Sequence, residues 1–316
     1  MIVSRRGFVA SSAAFAFAAR AARAAPRPFF RSHRLPIGLQ LYSVGAELRR
    51  DLDATLKAVA AIGYRTVETA GYAGRTPQEL RAAFDANHLA CTSAHVQPRG
   101  TGPEPTLSGD IGRLAADMHV LGARHVVMPT FLFPERLTLK PRDGEGVGPM
   151  LARLSAELTP DDWKATAAFM NDKGAALKRE GLQLAYHNHN PEFAPLGRGT
   201  AFDVLVRETD PHLVQFEMDA GWVVAAGRDP VELLKAHPGR FRMMHVKDVA
   251  KGGEPNFAFR VQTTSVGQGI IDWPRLLAAA YAEGVTEYFV EHEPPFVRPV
   301  LEMLGESFRN LEALRA

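Results

Sequence analysis

From Pro36 onward the chain alternates short β-type runs with stretches of helical period, the pattern of parallel strands joined by crossover helices. Eight strands are predicted, over Ile37–Tyr42, Thr66–Thr69, Ala90–His95, His125–Met128, Leu182–His187, Leu213–Asp219, Phe241–Val246 and Glu287–Glu291. Eight helices are predicted between and after them, over Leu52–Ile62, Pro77–Asn87, Ile111–Leu121, Asp161–Arg179, Ala201–Glu208, Pro230–Ala236, Trp273–Ala282 and Pro299–Leu314. Thr76-Pro77 and Asp229-Pro230 each offer a capping side chain followed by a proline that the first helical turn tolerates. Gly63, Gly122, Gly181 and Gly284 follow helices, where a left-handed stop is usually required.

Strict strand–helix alternation, eight times over, implies a (β/α)8 TIM barrel. An open doubly wound sheet usually has fewer strands and a glycine fingerprint after the first one. None follows here, and Gly267-Gln268-Gly269 reads as a turn. Barrels of this kind reach about 250 residues as one unit, so residues 26–316 are read as a single domain. A hydrophobic content of 46% with 23% charged residues is ample for such a core.

Residues 1–25 are a different kind of segment. Ser4-Arg5-Arg6-Gly7-Phe8-Val9 precedes the apolar run from Ala10 to Ala19, and small residues at 22–25 close it. This is similar to a twin-arginine export signal, which places the mature protein in the periplasm. The run is too short to span a bilayer, and no later segment approaches a membrane span. Of the 37 basic side chains four lie in this segment, with none of the 35 acids, so its removal shifts the net charge from +2 to about −2. That balance disfavours nucleic acid as a partner. Cys91 is the only cysteine, which rules out an intramolecular disulfide, and it is read as a buried small thiol in the third strand.

The chemistry concentrates at strand ends. His187, Asp219, His245 and Glu291 each close a short apolar run, in QLAYH, VQFEMD, RMMH and YFVE. The carboxyl ends of barrel strands converge on one mouth, so these four are candidate ligands of one cation. Two imidazoles and two carboxylates suit Mn²⁺, Co²⁺, Zn²⁺ or Fe²⁺ better than a thiolate site or an all-oxygen calcium cage would. Mn²⁺ is the first choice, and Mg²⁺ stays open. For Asp219, which is followed directly by Gly221-Trp222, the competing reading is a helix cap.

Period-2 geometry adds neighbours to each ligand. His189 shares a strand face with His187, Glu217 with Asp219, Lys247 with His245, and Glu293 with Glu291. His189 is expected to contact substrate or support a ligand. Lys247 is expected to meet a substrate oxygen, its ammonium losing its proton more easily beside a cation, or else to pair with Asp248. Glu293 is read as peripheral. Glu68 and His95 also end strands, Gln40 and Tyr42 lie on the first, and Trp222 offers a platform for a sugar ring. Candidate catalytic groups are therefore Glu291, His187, Lys247, His95 and His189, with Trp222, Glu68, Glu217 and Tyr42 as substrate contacts. Two long connections leave the same face. Pro129 to Pro160 carries five prolines and the glycine-rich patch 144–148, and is expected to cover the mouth or pack on another subunit. Val249 to Gly269 is expected to close over substrate.

Six segments together resemble the xylose isomerase-like barrels, in particular their sugar phosphate isomerase/epimerase group. They are Ser93-Ala94-His95; Tyr186-His187-Asn188-His189 with Glu192-Phe193; Asp219 with Ala226-Gly227-Arg228-Asp229-Pro230; His245-Val246-Lys247-Asp248; Val266-Gly267-Gln268-Gly269 with Asp272; and Val290-Glu291. The Tyr-His-Asn-His version is similar to the inosose dehydratase-like branch. The resemblance implies a divalent ion at four strand ends and proton transfer next to a carbonyl. In ketose epimerases of the group the four ligands are Glu, Asp, His and Glu, and both glutamates move protons. Here the first position carries His187, so one of those two carboxylates is absent.

The resulting expectation is a metal-dependent isomerase or epimerase of a ketose or keto-sugar, possible also as a homodimer. The alternatives are a lyase or dehydratase on 3-keto-sugars or keto-glycosides and a periplasmic sugar-binding barrel without turnover. A nuclease of the same superfamily is disfavoured by the acidic mature chain and by the lack of further His and Glu ligands.

Overall fold

The computed structural model describes residues 27–100 and 102–316, and the predicted export signal, 1–25, lies outside the described residues. Eight parallel strands close into a barrel: Gly38–Gln40 (β1), Thr66–Ala70 (β2), Ala90–His95 (β3), His125–Met128 (β4), Gln183–His187 (β5), Val214–Asp219 (β6), Phe241–Val246 (β7) and Glu287–Val290 (β8). Each strand pairs with its neighbours in sequence, and β8 closes on β1 through Gly38 opposite Phe289. The fold is the α/β TIM barrel that the alternation implies. Among the described residues no helix is long and apolar enough to cross a membrane.

Helices Leu52–Ile62, Ile111–Leu121, Ala201–Glu208, Pro230–Ala236 and Trp273–Ala282 have the predicted bounds. Their ends obey the expected chemistry. The Thr76 side chain accepts the N–H of Glu79 ahead of Pro77–Ala86, and Asp229 accepts that of Val231. Gly122 ends its helix at φ 87°, a conformation that a Cβ would strain. Four short helices were not foreseen, at Phe29–His33, Gly45–Arg50, Val147–Ser155 and Ala220–Ala225. The first strand is also shorter than predicted, because Gln40 turns its side chain to accept the N–H of Tyr42 at 3.0 Å and the chain leaves in a tight turn over Leu41–Val44.

Strand alternation separates two apolar regions. Outward side chains such as Leu39, Val67, Leu184, Phe216, Met244 and Tyr288 join the main core under the helices. Inward ones form a small plug of Val127, Ala185, Met243 and Phe289. Two residues further along the same strands stand His187, His245 and Glu291. The polar layer thus rests on an apolar floor, one pleat repeat above it. Cys91 is buried, and burial pushes its thiol up to about 12, which leaves it inert near neutral pH.

Candidate metal centre

All four predicted ligands meet. One donor atom from each of His187, Asp219, His245 and Glu291 lies within 4.8 Å of the others. A second group under the same limit is His95, His187, Glu217 and His245, which shares both imidazoles with the first. His245 is the hub: its Nδ1 is 2.9 Å from Glu291 Oε2, and its Nε2 is 2.7 Å from Glu68 Oε1 and 3.1 Å from Glu217 Oε2. His187 Nδ1 and His95 Nε2 each stand 3.0 Å from Glu217 Oε2.

The backbone aims these groups. The register shifts beside each buried glutamate, because the neighbouring strand carries one extra residue there, Thr92 in β3 next to Glu68 and Arg242 in β7 next to Glu217. Asp219 serves two purposes at once. Its Oδ1 accepts the N–H of Trp222 at 2.8 Å, capping Ala220–Ala225, which leaves Oδ2 for the centre. The cap and ligand readings of Asp219 are therefore compatible. Asn188 fixes the same residue by accepting its N–H at 3.1 Å.

Lys247 corrects two expectations. It is fully buried and faces Asp219 Oδ2 and Glu291 Oε2, each at 2.7 Å, with Glu293 Oε1 closer still, whereas Asp248 points elsewhere. Burial works against its charge, but Asp219, Glu291 and Glu293 overcome it and hold the ammonium well above its ordinary value. It is thus a firmly held cation, the opposite of a lysine that sheds its proton easily. Gly221 makes room for it, since a Cβ there would lie 2.8 Å from Lys247 Cγ. Glu293, read as peripheral, belongs to this network and also accepts the Trp222 indole N–H at 3.1 Å. Asp248 instead gathers the backbone N–H groups of Gly267 (2.8 Å) and Gly269 (3.1 Å) and the Trp273 indole N–H (2.9 Å), pinning the loop after β7.

Charge follows from this packing. Burial raises Glu291, but Lys247 and His245 outweigh it and keep the carboxylate well below its usual range. Burial opposes the charge on His95, but Glu68 and Glu217 lift it to about 9, and the same kind of contest, won by Glu217 and Glu291, holds His245 high. His187 is pushed well down by burial and by His245, and His189 falls to about 3 through burial and Lys247. Burial raises Asp219 to about 6 against the pull of Lys247.

Four carboxylates, Glu68, Glu217, Asp219 and Glu291, are almost wholly buried with one ammonium among them. Such a set calls for further positive charge, from protons on imidazoles or from a metal. The donors fit a divalent ion. They are two imidazoles and two carboxylates, and Glu217 Oε1 beside them is buried with no hydrogen-bond partner.

The remaining predicted residues surround this centre. Glu68 accepts from Gln40 at 2.6 Å and from Ser93, which makes it a support for His245 and His95 with no face on the mouth. Glu217 is likewise walled in by the three imidazoles and does not line the cavity, so neither glutamate is placed as the substrate contact expected of it. His95, His187, His189, Glu291, Glu293, Trp222 and the half-exposed Tyr42 do line the open cavity above. Both long connections reach that cavity. Phe259, at the tip of the loop after β7, comes within 5.3 Å of the His189 ring, and Asn190 holds it by accepting its N–H at 3.1 Å and binding Asn256. Sequence reasoning missed Asn190 and Phe259, since neither sits on a periodic element.

Glu192 shows why the His189 turn is rigid. It accepts the Tyr186 hydroxyl at 2.7 Å and the His189 N–H at 3.0 Å, while its Oε2 is buried without a partner. Burial raises its carboxyl from 4.5 to about 7, despite those donors. Between these values the unfolded chain ionises Glu192 while the native state keeps the proton, so stability falls as pH rises from about 4.5 to about 7 and is flat on either side. The span corresponds to about 3 kcal/mol. Urea unfolding at pH 5 and pH 8 is expected to show Glu192→Gln gaining on the wild type by about that amount at the higher pH. A difference that does not change with pH would contradict this account.

Comparison with known proteins agrees with the fold. A family model described as a xylose isomerase-like TIM barrel matches residues 56–314. The inosose dehydratase of Lacticaseibacillus casei is 23% identical over 263 residues, covering 75% of this chain and 81% of that protein. That of Clostridium perfringens strain 13 is 34% identical over 94 residues, 30% of this chain and 31% of the relative. Among solved structures, a sugar phosphate isomerase/epimerase from Parabacteroides distasonis superposes with a TM-score of 0.66 at 25% identity, covering 88% of this chain and 94% of that one. A 3-keto-D-glucoside 4-epimerase from E. coli shares the fold, with a TM-score of 0.62 at 16% identity over 89% of this chain and all of that one (100%).

Proposed function

Because the chain belongs to the xylose isomerase-like TIM barrel family, we propose that it is a divalent-metal-dependent isomerase or epimerase of a ketose or keto-sugar. The observation that carries this reading is the convergence of His187, Asp219, His245 and Glu291, of which His187 and Glu291 line an open cavity. These four residues would hold the ion, with Mn²⁺ the first choice. A bound ion supplies Lewis acidity to a carbonyl and its adjacent hydroxyl, acidifying the C–H between them.

The chain's own groups do the rest. Glu291 is ionised and lines the cavity, so it is the base that takes the carbon-bound proton. His95 lines the same cavity and carries a proton at neutral pH, which suits it to return one from another side. His189 stays neutral, and its buried Nδ1 has no partner within the protein, leaving it for a substrate hydroxyl. Lys247 keeps Asp219 and Glu291 charged and in place. Trp222, braced by Glu293, is buried but lines the cavity.

A second reading, a dehydratase, is favoured by one particular residue. His187 stands where a two-glutamate epimerase has its second carboxylate, and burial holds it neutral. With Glu291 as sole carboxylate base, protonation of a β-leaving group by His95 turns the same first step into elimination. The similarity to inosose dehydratases points the same way. The proposed setting is the periplasm, reached through residues 1–25.

The test is turnover of keto-sugars in D₂O with Mn²⁺, followed by NMR. Solvent deuterium at one carbon of an isomer or epimer is expected, and an enone absorbance instead would mark the dehydratase. Strong chelation is expected to remove at least 99% of activity and to lower the melting temperature, by about 5–10 °C if the ion had been present at about 100 times its Kd. Activity and melting that ignore the chelator would overturn the metal-dependent reading.

A further inference from the structure

The cavity above the polar centre measures about 1150 Å³. Pockets that bury drug-sized ligands span about 300–1,000 Å³, so one hexose ring leaves much of this space unfilled. The groups in its lining that suit a sugar are His95, His187, His189, Glu291 and Glu293. The connection after β4 adds an apolar wall of Phe131, Phe133, Leu137, Leu139, Val147 and Leu151.

That wall is unusual for a protein surface. Seven large hydrophobic side chains are exposed among the described residues, and three of them, Tyr42 (50%), Leu139 (56%) and Val147 (64%), line this one cavity. Single exposed aliphatic residues are ordinary, but a concave cluster continuous with a polar site marks a binding surface. The wall is also built in advance. Phe131 packs on the buried Trp163 at 4.7 Å and on Phe133 at 5.0 Å, while Met150 and Leu154, one turn along from Val147 and Leu151, anchor helix Val147–Ser155 in the core. Glu145 and Arg153 clamp that helix at 2.8 Å. Arg99, Glu104 and Glu135 also line the cavity, and none of the three belongs to the apolar set Phe131 to Leu151 that faces it.

We propose that this wall is an aglycone subsite: the substrate is a glycoside whose sugar end reaches the polar centre and whose apolar, ring-bearing aglycone lies along Phe133, Leu139 and Val147. This rests on the reading of the polar lining as a sugar site. It narrows the substrate class from free keto-sugars to glycosides with an aromatic or fused-ring substituent.

Binding of phenyl β-D-glucopyranoside and methyl β-D-glucopyranoside to the full chain loaded with Mn²⁺, measured by calorimetry, tests it. The phenyl glucoside is expected to bind at least about tenfold more tightly, as burial of one aromatic ring provides. The double variant Leu139→Asp, Val147→Asp is expected to erase that preference and leave the methyl glucoside affinity within about twofold. Both side chains are more than half exposed, so folding is not at stake. Equal affinities, no binding of either probe at 10 mM, or a variant that weakens both equally would overturn the subsite. So would a variant that only converts a dimer to a monomer in size-exclusion chromatography, since a second copy would then cover the wall. A phenyl preference lost in the variant, without turnover of any keto-sugar, would uphold the subsite and remove the isomerase reading. Keto-sugar turnover without the preference would do the reverse.

Discussion

Replacing Lys247 by methionine is expected to lower the melting temperature of the metal-free protein by about 10 °C and to tighten its binding of Mn²⁺ by at least about tenfold. The ammonium is wholly buried between Asp219, Glu291 and Glu293, and removing one partner of a buried ion pair costs about 3–5 kcal/mol because the other charges stay behind. A divalent ion needs two of those same carboxylates, so Lys247 both stabilises the empty centre and opposes the ion by like charge. Saturating Mn²⁺ is therefore expected to restore most of the lost stability to the variant. Calorimetric melting with and without Mn²⁺, together with a titration of the ion, checks both effects. Equal destabilisation in the two conditions with unchanged Mn²⁺ affinity would mean that no ion shares the carboxylates of Lys247.

Glu291→Gln is expected to lower kcat by about 10²- to 10⁴-fold, the range ascribed to a positioned acid or base. The amide retains the size of the side chain and an oxygen for Lys247 and His245, but it cannot accept a proton from carbon. Glu293→Gln is the matched control. That carboxylate touches Lys247 and the Trp222 indole at the rim, so its loss is expected to raise KM and to change kcat less than about tenfold. Steady-state kinetics of the two variants on one keto-sugar separates a base from a brace. A Glu291→Gln enzyme within tenfold of the wild type would shift the base to another residue.

The barrel and the residues of its centre differ in how far they can be read from the chain. Eight strands are legible because apolar runs at fixed spacing, bounded by Thr76, Asp229, Gly122 and similar caps, allow few other arrangements. His187, Asp219, His245 and Glu291 stand out because a charged or imidazole group closing an apolar run needs a partner, and a parallel barrel brings the partners to one end. Glu293 and Lys247 were harder. Period 2 places them on the right face, but their distances to Asp219 and Trp222 depend on how the chain turns after the strand, where periodicity ends. Beside Glu68 and Glu217 the neighbouring strands carry bulges that shift the register by one residue, and no residue type announces such a shift. Val147–Ser155 hid behind a glycine-rich patch that reads as loop until its Met150 and Leu154 find a core to pack on.

The eightfold alternation, the direction of the strands and the kind of donors at their ends are legible in the chain alone, because local propensity and side-chain period are properties of consecutive residues. Packing in three dimensions sets which oxygen of Asp219 caps a helix and which faces the centre, locks Lys247 among three carboxylates, and makes the segment after β4 wall a cavity with Leu139 and Val147. These depend on close approach between residues tens of positions apart, and a distance of that kind is set by packing, which no stretch of neighbouring residues encodes alone.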